Sequence, residues 1–108
     1  IMGRRIRFPF GSHFKAGGLI FQGSAADALK VKIIQLDQYF EEAKGDRGYL
    51  ALNVHDEFDS MVPEGRADVR ADISRIVTDF ESEGQPIKFR VPIKTEQGYG
   101  PDWWTACK

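Results

Sequence analysis

The sequence predicts an α+β domain: a small, mostly antiparallel sheet with a central hairpin, covered on one face by two helices. Three observations predict it. Two stretches, about 19–43 and 66–82, repeat apolar residues at steps of three and four, the period of an amphipathic helix. Between them, 49–62 alternates in the manner of half-buried strands on either side of Val54-His55-Asp56-Glu57. The chain has 108 residues, 42% of them hydrophobic, which suits one domain with one core.

Residues 4–8 read as a short strand ended by Pro9. Residues 9–18, with Pro9, Gly11, Gly17 and Gly18, read as a loop or a loosely held helix start. The first helix carries the stripe Ala26, Leu29, Ile33, Leu36 and Phe40. Ser24-Ala25-Ala26-Asp27 resembles a capping box, which allows a start at Ser24. A start further upstream is equally open. Lys44 to Gly48 is a turn-rich break. The hairpin follows, with Leu50, Leu52 and Val54 expected on one side and Tyr49, Ala51 and Asn53 on the other. Pro63-Glu64-Gly65 leads into the second helix, whose stripe is Val69, Ile73, Ile76, Val77 and Phe80. Residues 88–96 alternate and read as a strand, placed at an edge by Pro92. The tail from Gln97 is rich in Gly and Trp and reads as irregular. A sheet covered on one side leaves its other face open to a large substrate.

The hairpin turn is the unusual feature. Tight turns favour Asn-Gly, Asp-Gly or Gly pairs, because they need positive φ. Here only His55, Asp56 and Glu57 are available, with no glycine. A departure from easy turn chemistry points to function. Two adjacent carboxylates on a rigid tip suit a hard divalent cation such as magnesium.

Formal net charge is −1, which excludes a chain basic throughout. The distribution is uneven. No Asp or Glu precedes Asp27, whereas Arg4, Arg5, Arg7 and Lys15 do. That cationic quarter is either a solvated basic surface or a phosphate-facing edge. The single cysteine, Cys107, has no intrachain disulfide partner, which fits a reducing compartment. No run approaches the ~18 apolar residues of a membrane span, and no signal peptide is evident. A cytoplasmic protein, in a bacterial cell or phage-infected host, is expected.

Several ordered blocks carry a resemblance. They are Gly3-Arg4-Arg5-Ile6-Arg7-Phe8-Pro9, then Gln22-Gly23-Ser24-Ala25-Ala26-Asp27, then Val54-His55-Asp56-Glu57. Val91-Pro92-Ile93 and Gly100-Pro101-Asp102-Trp103 follow near the end. Together they resemble the family A DNA polymerases, the bacterial DNA polymerase I type including phage versions. The blocks match its Gly-Arg-Arg segment, its Gln-Gly-Thr-Ala-Ala-Asp segment, its motif C, its C-terminal strand and its closing Gly-Asn-Trp. His-Asp-Glu alone recurs by chance; blocks in order across nearly the whole chain do not.

The resemblance implies that residues 1–108 are the C-terminal part of a polymerase palm, with motif C on the hairpin at 49–62. It implies primer-template DNA and deoxynucleoside triphosphates as partners, with the fingers, thumb and rest of the palm. Nucleotidyl transfer uses two magnesium ions, held by carboxylates. By resemblance Asp56 is a metal ligand and Glu57 a supporting carboxylate. His55 is either a primer-terminus contact or a turn histidine bonded to backbone. Gln22 matches the minor-groove glutamine, whose amide engages acceptors common to all base pairs. Arg4 and Arg5 contact phosphate or make structural ion pairs.

The chain departs from the family at Phe14 and Gly18, where many members carry an arginine and an asparagine. His13 and Lys15 flank the first of these. Motif A and the fingers helix lie upstream of every block and are not among these 108 residues. Asp27, Asp46 and Asp59 are no substitute by spacing. The isolated chain is therefore expected not to polymerise DNA. The alternative is a non-catalytic DNA-binding module derived from a palm. Weaker rivals are an unrelated metal-dependent phosphodiesterase and an interaction domain with Trp103 and Trp104 as a contact patch. The open sheet face also predicts self-association of the isolated chain.

Overall fold

The structure, a computed structural model, describes residues 3, 5, 7, 10, 11 and 15–107. Its elements are α1 (Ala16–Glu42), β1 (Tyr49–Val54), β2 (Glu57–Met61), α2 (Ala67–Thr78) and α3 (Trp103–Ala106). Two helices pack on an antiparallel hairpin, the small α+β domain expected from the sequence. Of the strand expected at 4–8, Arg4, Ile6 and Phe8 lie outside the described residues.

α1 begins well before Ser24, which sits in mid-helix rather than at a cap. Its N-cap residue, Lys15, makes no side-chain cap hydrogen bond. Extending a formed helix is far easier than nucleating one, so the run into Ser24 stays helical despite Gly17, Gly18 and Gly23. The buried row is Ala28, Lys32, Leu36 and Phe40, at four-residue steps on one face. Leu36 and Phe40 therefore fall in the core as expected, while Ala26, Leu29 and Ile33 are only half-buried. The row was misjudged because one of its members is a lysine.

Lys32 is 1% exposed and separates two apolar clusters. On one side are Ala28, Phe80 and Ile87. On the other are Leu36, Phe40 and Val69, flanked by Leu50, Phe58, Ile73 and Ile76. Its ammonium donates to Gln35 Oε1 at 2.8 Å and to the carbonyl of Asp79, and lies 4.2 Å from the Phe80 ring centre. Burying a cation favours its neutral form. Burial lowers the Lys32 pKa, and the nearby Asp79 only partly opposes this. Between that lowered value and 10.5, the unfolded chain binds more protons than the folded one. Stability is therefore expected to rise with pH across that window. Urea midpoints from pH 7 upward check this, and Lys32→Met is expected to flatten the rise. The paired comparison separates Lys32 from Tyr39, whose hydroxyl is pushed up by burial and by Asp72 and acts in the opposite sense.

The break after α1 uses backbone that few side chains tolerate. Lys44, Gly45 and Gly48 all have positive φ. At Gly48 a Cβ would stand 1.8 Å from the Met61 carbonyl oxygen, so only glycine admits the first strand pair. Arg66 ties this break to α2, bonding both carboxylate oxygens of Asp68 and the Asp46 carbonyl.

The hairpin pairs Tyr49 with Met61, Leu50 with Ser60, Leu52 with Asp59, Asn53 with Phe58 and Val54 with Glu57. Ala51 is an extra residue, a bulge. It corrects the simple alternation, since one inserted residue flips every later side chain. Leu50, Asn53, Phe58 and Ser60 share the helix-covered face. Leu52 and Val54 join Tyr49, Glu57, Asp59 and Met61 on the other.

α2 spans Ala67–Thr78, shorter than the expected 66–82. Asp79 leaves the helical region, and its Oδ1 accepts from the N–H groups of Glu81 and Ser82 at 3.1 and 3.0 Å. Such local side-chain bonds compete with helix. Bonding to Ser82 chiefly holds the Asp79 carboxyl down to about 2.

Residues 88–96 do not form the expected strand. Pro92 offers no N–H to a ladder. Ile87, Phe89 and Ile93 instead pack as irregular chain on Ala28 and Phe80. Among the described residues the sheet has two strands.

Candidate active site

The turn at the hairpin tip is two residues, His55 and Asp56, and Glu57 belongs to β2. His55 has φ 55°, a conformation in which the first residue of such a turn is usually glycine. A non-glycine residue there carries backbone strain, which adds to the case for function at the tip. His55 and Asp56 are both exposed.

Glu57 and Asp59 are two apart on one strand and so share a face. That face is the one α1 and α2 leave uncovered, and α3 reaches it from the C-terminal side. One donor atom from each of Glu57, Asp59 and Cys107 lies within 4.8 Å of the others. Trp103 Nε1 and Cys107 Sγ both donate to Glu57 Oε1, each at 3.3 Å. Asp59 Oδ2 is buried without a hydrogen-bond partner.

The electrostatics follow. Hydrogen bonds from Cys107, then Asp59 and Trp103, lower the Glu57 pKa. Burial raises that of Asp59, and the neighbouring Glu57 raises it further. Two close carboxyl groups titrate as a pair, with Asp59 shifted up and Glu57 shifted down. Burial and the two carboxylates also raise the Cys107 thiol. Cys107 thus acts as a neutral donor.

The structure therefore brings Glu57 together with Asp59, Cys107 and Trp103, while Asp56 stands beside them on the turn. Asp59 was set aside on sequence spacing, although the i, i+2 relation to Glu57 was a usable signal. Cys107 and Trp103 had none, since a chain reversal brings them in. Gln22 is exposed on the N-terminal third of α1. It lies fourteen positions before Leu36, roughly 21 Å along the helix axis. Arg5 is exposed, and Arg4 lies outside the described residues, as do His13 and Phe14.

The family model described as DNA polymerase family A matches residues 13–105. The chain belongs to this family. Among its relatives is "DNA polymerase DpoZ" of Salmonella phage PMBT28, 42% identical over 111 residues, covering 98% of this chain and 16% of that protein. A protein of the same name from Vibrio phage phiVC8 is 34% identical over 106 residues, covering 96% of this chain and 15% of that protein. "DNA polymerase I, thermostable" of Thermus filiformis is 35% identical over 85 residues, covering 79% of this chain and 9% of that protein. The chain thus spans about a sixth of the phage relatives' length. No solved structure matches it significantly. Among the described residues, no helix of this family A chain is long and apolar enough to cross a membrane.

Proposed function

We propose that the chain is the C-terminal portion of the palm of a phage-like, DNA-directed DNA polymerase, with motif C on the hairpin. The observation that carries this is the His55-Asp56 turn with Glu57 beside it, on a strained tip, inside a family match of 13–105. An uncovered sheet face next to that tip leaves room for primer-template DNA.

The donor chemistry fits a divalent cation. Carboxylate oxygens from Asp56 and Glu57 are hard ligands suited to magnesium, and the orphaned Asp59 oxygen adds a third hard donor nearby. Cys107, a protonated donor, is not a suitable magnesium ligand. Asp56 would hold metal and Glu57 would support it. When bound, two such ions activate the primer hydroxyl and stabilise charge on the transferring phosphate. His55 meets the primer backbone near its terminus. Gln22 tests the minor groove of the new base pair, and Arg4 and Arg5 hold phosphate. The deoxynucleoside triphosphate is gripped by the fingers, which with the thumb and remaining palm complete the enzyme in the cytoplasm.

The second aspartate of the family's metal site, on motif A, is not in these residues. Primer extension by the isolated chain with magnesium is therefore expected to be undetectable. A polymerase carrying this segment with its upstream palm and fingers is expected to extend. Robust extension by the 108 residues alone would refute the reading, as would none by the longer protein.

A further inference from the structure

Outside the tip, the best-built feature of the molecule is the short helix α3 and its seat. Asp102 caps it, with Oδ1 accepting from the Thr105 N–H at 2.8 Å. The segment before it passes very close. A Cβ at Gly98 would stand 1.8 Å from the Ala106 carbonyl oxygen, and one at Gly100 would be 2.6 Å from Thr105 Cγ2. The same segment is tied to α2, where Gln97 donates to the Arg70 carbonyl at 3.1 Å and Arg70 lies over Tyr99. Trp103 and Cys107 are four apart, so they project from one face of the turn. Both donate to a single oxygen of Glu57.

We propose that α3 is a positioning element for Glu57, with Trp103 as its principal residue and Cys107 as its second. This rests on the reading of Glu57 as a carboxylate of the metal site. Two donors from one rigid face hold Oε1 and leave Oε2 free for a cation. An untethered glutamate would sample several rotamers and would have to be ordered each time metal binds.

The test uses the polymerase that carries this segment. Manganese binding, read by electron paramagnetic resonance without turnover, and the magnesium dependence of extension are measured together. Trp103→Phe keeps the ring and removes the N–H. It is expected to weaken manganese binding and raise half-saturating magnesium roughly tenfold, the scale of one charge-assisted bond. The KM for primer-template is expected to stay unchanged. Cys107→Ser, which keeps a donor, is expected to lie nearer the parent than Cys107→Ala. Glu57→Ala is expected to move the indole N–H resonance of Trp103, whereas Asp56→Ala is not. A Trp103→Phe enzyme with parental metal dependence, or an indole resonance blind to Glu57→Ala, would overturn the proposal. If Asp56→Ala and Glu57→Ala both leave manganese binding intact, the metal-site reading itself fails. If they abolish it while Trp103→Phe does not, only the positioning role fails.

Discussion

In a polymerase carrying this segment, Asp56→Ala is expected to slow primer extension about a thousandfold or more. A liganded metal contributes several kcal/mol of charge stabilisation in such a transfer, and each ~1.4 kcal/mol is tenfold in rate. The expected cost to the fold is small. Asp56 is exposed at the hairpin tip, is not part of a strand pair, and faces water rather than the core. Substitutions at such positions usually stay within about 0.5 kcal/mol. Single-turnover extension and a urea midpoint, measured on the same variant, check both halves. A variant that extends at near-parental rate would remove Asp56 from the chemistry. One that unfolds would assign it a structural role instead.

The second large effect is on stability. Leu36→Ala is expected to destabilise the domain by about 2–5 kcal/mol, the range for truncating a fully buried leucine. Leu36 is 0% exposed and packs where all three main elements meet. Its cluster contains Phe40 of α1, Val69 of α2, and Leu50 and Phe58 of the hairpin. The neighbours belong to different elements, so they cannot collapse into the void without moving the tip. A domain stable by roughly 5–15 kcal/mol loses a large share of that. The urea midpoint should fall with little change in slope, because the surface exposed on unfolding is nearly the same.

Local signals and tertiary decisions separate cleanly in this chain. Helical periodicity marked both helices, yet it missed the true buried row of α1. The pattern took Ile33 for core because it is apolar, and passed over Lys32 because it is charged. Lys32 is buried only because the Asp79 carbonyl, Gln35 and Gln85 meet its ammonium from other turns and another segment. No window around residue 32 contains Asp79 or Gln85. Residues 88–96 read as a strand by alternation, but alternation does not supply a partner, and Pro92 offers no N–H to one.

The hairpin shows the same division at the site. Alternation and the absence of glycine in the turn located the tip, and the ordered blocks identified the family. The bulge at Ala51 was invisible, because an inserted residue leaves no mark in a five- or six-residue pattern. It decides that Leu50 faces the helices while Leu52 and Val54 face the side of Glu57.

By itself, then, the sequence determined the α+β class, the two helices, the hairpin, the family and the carboxylates at its tip. Each of these is written in near-neighbour spacing or in ordered motifs. Only the tertiary structure decided the long-range surroundings of Glu57. Asp59 joins it across one pleat of β2, and Trp103 and Cys107 reach it from some 46 and 50 residues away. That convergence depends on the chain's return over the open sheet face, seated by Gly98 and Gly100. Contacts of such long range are set by packing, which no local spacing encodes.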